Sequence, residues 1–395
     1  MRELNPFSYA FHEDPYPTYR WLRDEEPFYH NERMRFWALS RYQDVVDASR
    51  DWATYSSAEG TTLERLDPKL GEHLPMMIFM DPPRQARLRA LVSKAFTPRR
   101  VAALEPFVRE RASHHLAPLR RHGGGDFVRE FSALLPMDVV FTLLGVPTDD
   151  RRRLRALIDD ALHRDPDTAE IPASAVAAMA EQVGYWFRLV AERRRQPGDD
   201  LVSHLVAVEL EAEGGGRERL TDAEVAGFCN LLGAAGNETV TKLLAGAIVL
   251  FARHPEQYEI VRARPEHVPD AVEEALRYTS PSQYQGRTLT RDVTLHGRTA
   301  PAGARVLLLT ASANRDERAI ADADRFDVRR EQKIPLGFGY GIHSCLGAAV
   351  ARLESRVALE AFSQAFPRFT VDEAHLERVH MSNVHGFSGV PFRAA

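Results

Sequence analysis

The chain has 395 residues, 44% hydrophobic and 27% charged, which places it among globular proteins able to bury a large core. Its net charge of −5 gives no general affinity for polyanions, no nucleic-acid recognition motif is present, and its two cysteines are too few for a disulfide framework or a cysteine-based zinc site. The longest apolar run, Leu243–Ala252, is shorter than the roughly 20 residues of a bilayer span, and the polar, proline-broken start has no signal-peptide pattern, so a cytoplasmic protein with no membrane contact is expected.

Apolar residues recurring at three and four predict helices in PTYRWLRDE, RYQDVVDASR, ARLRALVSKAF, VAALEPFVRERASHHLAPL and FSALLPMDVVFTLLGV. FYHNERMRFWALS, near the start, has the pattern of a hairpin. HGGGD and EGGGRER are glycine-rich loops between helices. Between Arg84 and Arg121 ten basic residues face only Glu105 and Glu110, either an ordinary solvated helix face or a basic surface for an acidic partner.

Thr221 and Glu224 have the spacing of a capping box, and a proline-free apolar stretch follows up to Pro255. One continuous helix here would run roughly 50 Å and, being apolar all round, would pass through the centre of the fold. Its middle, Gly236-Asn237-Glu238-Thr239, is a polar island, and Gly227, Gly233, Gly236 and Gly246 each cost about 1 kcal/mol against alanine. Two readings are open: a kink with a satisfied core hydrogen bond, or a ligand pressed against the helix with Glu238 and Thr239 handling protons.

PDAVEEALRY is helical in pattern and sets Glu274 and Arg277 on one face, with Glu273 able to pair as well; such pairs are common and weak when exposed. DVTLHGRTAPAGARVLLLT reads as two strands joined by a Gly/Pro turn, and the last twenty residues as short strands. The expected fold is therefore mainly α with a small β part (α+β), a single domain over 1–395 whose β-rich region draws on about 25–40, 285–312 and 376–393.

Residues 338–347, FGYGIHSCLG, crowd three glycines round Cys345 just before a helical pattern. Alone, the loop fits a nucleophile, a redox switch, a haem ligand or an inert thiol. Cys229 reads as a small buried apolar residue.

Phe338, Gly339, Gly341, His343, Cys345 and Gly347 match the Phe-Gly-x-Gly-x-His-x-Cys-x-Gly loop, and the chain resembles the bacterial soluble type of the cytochrome P-450 superfamily from about Asp14 to Phe392. Ala235-Gly236-Asn237-Glu238-Thr239 is similar to the family's oxygen-activating motif, Glu274-x-x-Arg277 to its Glu-x-x-Arg motif, and Arg325-Phe326-Asp327 to the stretch whose arginine, here Arg325, completes that network. DPPRQARLR and NRDE also look like the bacterial members.

The resemblance implies haem b (iron protoporphyrin IX) between the long helix and the Cys-loop helix, with Cys345 as the metal ligand and Phe338 shielding its sulfur. Gly339 and Gly347 would shape the loop, and Ala235 and Gly236 would lie against the haem. Arg89, Arg287 and His343 become the propionate donors. Gln85 stands where many members have histidine, so its propionate contact is expected to be weaker or rearranged. It further implies monooxygenation using O2, with Glu238 and Thr239 as the acid–alcohol pair of the proton path, and electrons from a ferredoxin and ferredoxin reductase docking on the basic stretch. A small lipophilic substrate would meet Met76, Met77, Ile78, Leu232, Ala235, Val240, Ser282, Gln283, Tyr284, His385 and Phe387, under a covering segment at about 160–180, in secondary metabolism.

Overall fold

The computed structural model describes residues 2–64, 73–94, 96–168, 170–211, 217–331 and 336–395. The glycines of EGGGRER lie outside the described residues. Helices build most of the fold. Eight of them surround the site and are numbered in chain order: α1 Arg84–Ser93, α2 Glu105–His122, α3 Leu134–Leu143, α4 Thr148–Leu162, α5 Ala173–Arg195, α6 Asp222–Arg253, α7 Val268–Thr279 and α8 Ala348–Ala365.

The long helix forms as its sequence dictates. Thr221 Oγ1 accepts from the Glu224 backbone N–H at 3.1 Å while the Glu224 carboxylate accepts from the Thr221 N–H at 3.0 Å, a closed capping box. α6 then runs 32 residues and stops at His254, before Pro255. Its glycines are contact points for other elements. At Gly227 a Cβ would lie 2.4 Å from the Pro75 carbonyl oxygen, and at Gly246 one would lie 2.9 Å from Thr279 Cγ2 of α7.

α6 threads two cores. Its first turns, Val225 to Cys229, pack with α3, α4 and α5; its last, Val240 to Phe251, pack with α2, α7 and α8. The polar island falls at the seam. Sequence periodicity ran two pairs of elements together here. VAALEPFVRERASHHLAPL breaks at Leu104, because Pro106 lacks the N–H needed to continue a helix and opens α2 instead. FSALLPMDVV starts as a π-turn over Val128–Ser132 before α3.

The main sheet has strands β1 Phe28–Asn31, β2 Phe36–Leu39, β3 Tyr55–Ser56, β4 Gln285–Leu289 and β5 Arg305–Leu308 in the order β1-β2-β5-β4-β3. β2 and β5 are parallel, with Phe36 opposite Arg305; the other neighbours are antiparallel. The β region therefore joins the start of the chain to the 285–308 segment. The stretch 292–310 holds three strands rather than two, since His296-Gly297 makes an extra turn between Val293–Leu295 and Arg298–Ala300. The C-terminal strand Pro391–Ala394 pairs with Gly124–Asp126 on one side and Phe369–Val371 on the other. No single helix among the described residues is long and apolar enough to cross a membrane.

Candidate active site

The Cys345 loop is held by its own backbone. Gly339 and Gly341 both sit at φ +71°, where a side chain would strain the turn, and at Gly341 a Cβ would come 2.2 Å from the Ser49 carbonyl oxygen. The Cys345 N–H donates to the Phe338 carbonyl at 2.8 Å. Gly347 differs: its φ of −83° suits any residue, and it caps α8 facing open space. Cys345 lies deep in the body, yet its surface opens into a recess. Burial pushes its thiol up, opposed by the Gly347 N–H and by the Arg89 and Arg352 guanidiniums. Phe338 packs under Arg352, whose Cζ is 4.5 Å from the ring centroid and which also pairs with Glu273 at 2.5 Å.

Three cationic or titratable side chains gather beside the loop. Arg89 of α1 donates to the Ser344 carbonyl at 2.7 Å. Arg287 of β4 is buried, and among the described residues its side chain donates only to its neighbour Gly286, at 2.7 Å. Burial pulls Arg287 down to about 10, Arg305 adds to the fall, and Asp81 opposes it. His343 contacts Ser57 Oγ at 3.1 Å and is pushed down to about 3, first by burial, then by Arg287 and Arg89. Neither arginine has a carboxylate ion pair among the described residues. A buried cation of this kind costs several kcal/mol unless an anion meets it. Gln85, expected to make a weaker or rearranged propionate contact, donates one Nε2 hydrogen to the Ile342 carbonyl at 2.8 Å and so steadies the loop.

In the middle of α6, an otherwise buried helix, Ala235 is exposed. Thr239, one turn on, donates its hydroxyl to the Ala235 carbonyl at 2.7 Å on the same open face. Gly236, expected against the cofactor, turns the other way: its Cβ would sit 2.9 Å from Val140 Cγ2 of α3. Glu238 is buried and meets two cations, Arg155 Nη2 of α4 at 3.0 Å and Lys242 Nζ at 3.0 Å. Burial raises its carboxyl but the two cations outweigh it and hold the group below its ordinary value. Asp159, on α4, lies against Glu238 and is pushed up to about 7 by burial and by that negative charge. None of Arg155, Asp159 or Lys242 was picked out from sequence, although Arg155 and Asp159 stand four apart on a helix with an arginine stripe.

Glu274 and Arg277 form a bidentate buried pair at 2.7 Å for both contacts, each side chain 1% exposed, so the weak exposed pairing does not apply. Arg277 also donates to the carbonyls of Asn314, Ala323 and Arg325. The third member is Arg330, not Arg325. Arg330 Nε reaches Glu274 at 3.1 Å, whereas the Arg325 side chain is 59% exposed beside Asp327 and lends only its carbonyl. The Arg325-Phe326-Asp327 turn points Arg325 to solvent and carries the chain back so that Arg330 faces α7.

Met76, Met77 and Leu232 are half-buried against one apolar cluster, and Ile78 is half-buried beside them. Other expected pocket groups are spent elsewhere. Gln283 accepts from Tyr19 and donates to the Ser280 carbonyl; Tyr284 donates to the Ser382 carbonyl; His385 pairs with the His12 carbonyl at 2.8 Å and burial drives it down to about 3. Ser282 Oγ accepts from Gln285, while Phe387 and Val240 are buried in the core. Their polar atoms satisfy the fold, as burial requires.

The segment between α4 and α5 carries a clasp that sequence gave no sign of. Arg164 Nε pairs with Glu64 at 2.6 Å, both nearly buried, Ser382 Oγ donates to the same carboxylate at 2.8 Å, and the Arg164 N–H donates to the His380 carbonyl at 3.0 Å. Three loops distant in sequence are thereby tied at one point.

The donor set fits haem: one thiol in an open recess, a buried and a half-buried guanidinium without carboxylate partners among the described residues, an imidazole, and a small exposed methyl at Ala235. Residues 167–388 match the model of the cytochrome P-450 family. The chain is 46% identical over 390 residues to cytochrome P-450 123 of Mycobacterium tuberculosis, covering 98% of this chain and 96% of that one. It is 37% identical over 403 residues to the vitamin D(3) 25-hydroxylase of Pseudonocardia autotrophica, covering 98% and 95%. Among solved structures, CYP109E1 from Bacillus megaterium in complex with testosterone matches with a TM-score of 0.87 at 30% identity, covering 98% and 99%.

Proposed function

The chain belongs to the cytochrome P-450 family, and on that premise we propose that it is a monooxygenase that inserts one atom of O2 into a large, mainly apolar substrate, with electrons from a ferredoxin and its reductase. Cys345 would hold the iron of haem b, and Arg89, Arg287 and His343 would take the propionates; the carboxylate-free burial of Arg287 carries this assignment. Haem ligated by thiolate supplies the activation of O2 and favours O–O cleavage. The protein's share is orientation, dryness and protons. Met76, Met77, Ile78 and Leu232 form an adaptable apolar wall. Thr239 Oγ1, whose hydrogen the Ala235 carbonyl accepts, presents its lone pairs on the open face of α6, and Glu238, held ionised by Arg155 and Lys242, accepts and returns protons behind it.

The apolar wall supports a lipophilic substrate, and the names of two relatives, a vitamin D(3) hydroxylase and a testosterone complex, favour a steroid-like one. Holoenzyme mixed with such compounds should give a high-spin shift for binders, and turnover under ¹⁸O₂ should add one heavy oxygen to product. Binders that turn over with no ¹⁸O in product would overturn the reading. Thr239→Ala is expected to raise peroxide release relative to product, read as peroxide per electron consumed; coupling as tight as in the parent would count against the Thr239 role.

Of the ten cations between Arg84 and Arg121, Arg87, Arg109 and Arg111 are ion-paired and Arg89 points inward. Arg84, Lys94, Arg99, Arg100, Arg120 and Arg121 are exposed and without ion pairs among the described residues. Arg99 and Arg100 open the short helix Pro98–Ala103, which packs on α8, the helix that follows the Cys345 loop. An acidic ferredoxin docking there would be steered by them. Reversing both, Arg99→Glu with Arg100→Glu, should slow reduction by the ferredoxin about ten-fold or more at low salt, while reduction by dithionite stays unchanged in stopped-flow absorbance.

A further inference from the structure

Of the three side chains assigned to the propionates, Arg89 and Arg287 can only donate, whereas a neutral imidazole such as that of His343 has one donor and one acceptor nitrogen. Which nitrogen holds the hydrogen decides whether the ring attracts an anion or repels it, and that is set by the partner of the other nitrogen. Here the partner is Ser57.

Ser57 is 1% exposed and follows β3 directly. Its Oγ lies 3.1 Å from His343 Nε2 and has no other hydrogen-bond partner among the described residues. The serine is itself held. Asp81, just ahead of α1, accepts from the Ser57 N–H at 3.0 Å and from the Ser56 hydroxyl at 2.5 Å. The Gly60 N–H donates to the Ser57 carbonyl at 3.0 Å, and Ser56 Oγ accepts from the Ala58 N–H at 3.1 Å. β3 runs antiparallel to β4 with Ser56 opposite Thr288, which carries Ser57 on towards Arg287. Ser57 therefore stands where the end of β3, the approach to α1 and the Cys345 loop meet.

A serine hydroxyl can accept from a ring N–H or donate to a ring lone pair. Two features favour donation. The Asp81 carboxylate is taken by the Ser57 N–H and the Ser56 hydroxyl, so the Ser57 hydrogen has only His343 to go to. The guanidiniums of Arg89 and Arg287 act on the ring and oppose a second hydrogen on it. With Nε2 accepting, the single ring hydrogen sits on Nδ1. There it can be given to an anion, and the Met80 carbonyl beside the ring can share it. The opposite tautomer would turn a lone pair towards the negative charge that the two arginines attract.

We propose that Ser57 is a positioning residue for the haem: its hydroxyl donates to His343 Nε2, fixes the ring as the Nδ1–H form and so keeps an N–H available to a propionate. Asp81 acts one step further out by holding the serine in place. The proposal rests on the reading of Cys345 as the haem ligand.

The test compares Ser57→Ala and Ser57→Cys with the parent holoenzyme. Cysteine keeps the size of the side chain but has only a weak S–H donor, so it separates hydrogen bonding from packing. A propionate without its imidazole donor keeps more of its negative charge, which favours ferric iron, so the reduction potential should fall in both variants. Haem transfer to excess apomyoglobin should quicken about ten-fold in Ser57→Ala, with Ser57→Cys closer to Ser57→Ala than to the parent. A Ser57→Cys protein matching the parent in potential and in transfer rate would reduce the serine to packing and overturn the proposal. So would a Ser57→Ala protein with the parent's two values. The carbon monoxide difference spectrum keeps the two readings apart: an intact thiolate band beside unshifted potentials removes the role of Ser57 and leaves Cys345 as the ligand, whereas a parent without that band removes both.

Discussion

Replacing Cys345 with serine should abolish the thiolate band in the carbon monoxide difference spectrum of the reduced protein and, with it, detectable product formation. The loop leaves no substitute. Cys229, the other thiol, is fully buried in α6 and burial drives its titration far up, so it cannot offer a thiolate. The remaining groups at the Cys345 recess are cations and an imidazole already tied to Ser57. A wild-type protein lacking the thiolate band, or a Cys345→Ser protein retaining it, would refute the ligand assignment. The fold itself should survive, because Cys345 contributes to the loop through its N–H, which serine keeps.

Glu274→Ala should be the most damaging change to stability. It leaves Arg277, buried and bidentate, facing no anion, and strips Arg330 and the Asp327 N–H of their acceptor. Breaking a buried pair in this way costs about 3–5 kcal/mol. Denaturant melts should register the loss, and haem content after expression should drop with it. The companion substitutions separate the two arginines. Arg330→Ala should lose a substantial part of the same stability, while Arg325→Ala, at an exposed site, should stay within about 0.5 kcal/mol of the parent. Equal losses from both would mean that Arg325 holds the network after all.

What the sequence revealed and what it hid divide along a physical line. Local rules read well: the Thr221 capping box, the unbroken α6 and the glycine turn around Cys345 are all encoded within a few residues. Pair identities across the fold did not. Arg325 and Arg330 lie in the same stretch, and only the turn between them decides which reaches Glu274. The polar groups of Gln283, Tyr284 and His385 look free on paper because their partners, Tyr19, Ser382 and His12, are remote in the chain. Gln85 is the instructive case: its amide was legible as a donor, but its acceptor is a carbonyl of the very loop it flanks in space. Nothing local in the arginine-rich α4 marks which of its arginines, Arg155, is the inner counter-ion of Glu238.

α4 has a mechanical property of its own. It is a single rod from Thr148 to Leu162, and it carries Arg155 at its middle and leads directly into Arg164, the pin of the three-loop clasp. From Arg155 to its end at Leu162 the helix spans about 10 Å and does not stretch, and Arg164 follows two residues later. A tilt that unpins Arg164 from Glu64 is therefore also a tilt at Glu238. The three-loop clasp and the counter-ion of Glu238 are two points on one lever, so loosening the clasp and shifting Arg155 are one movement.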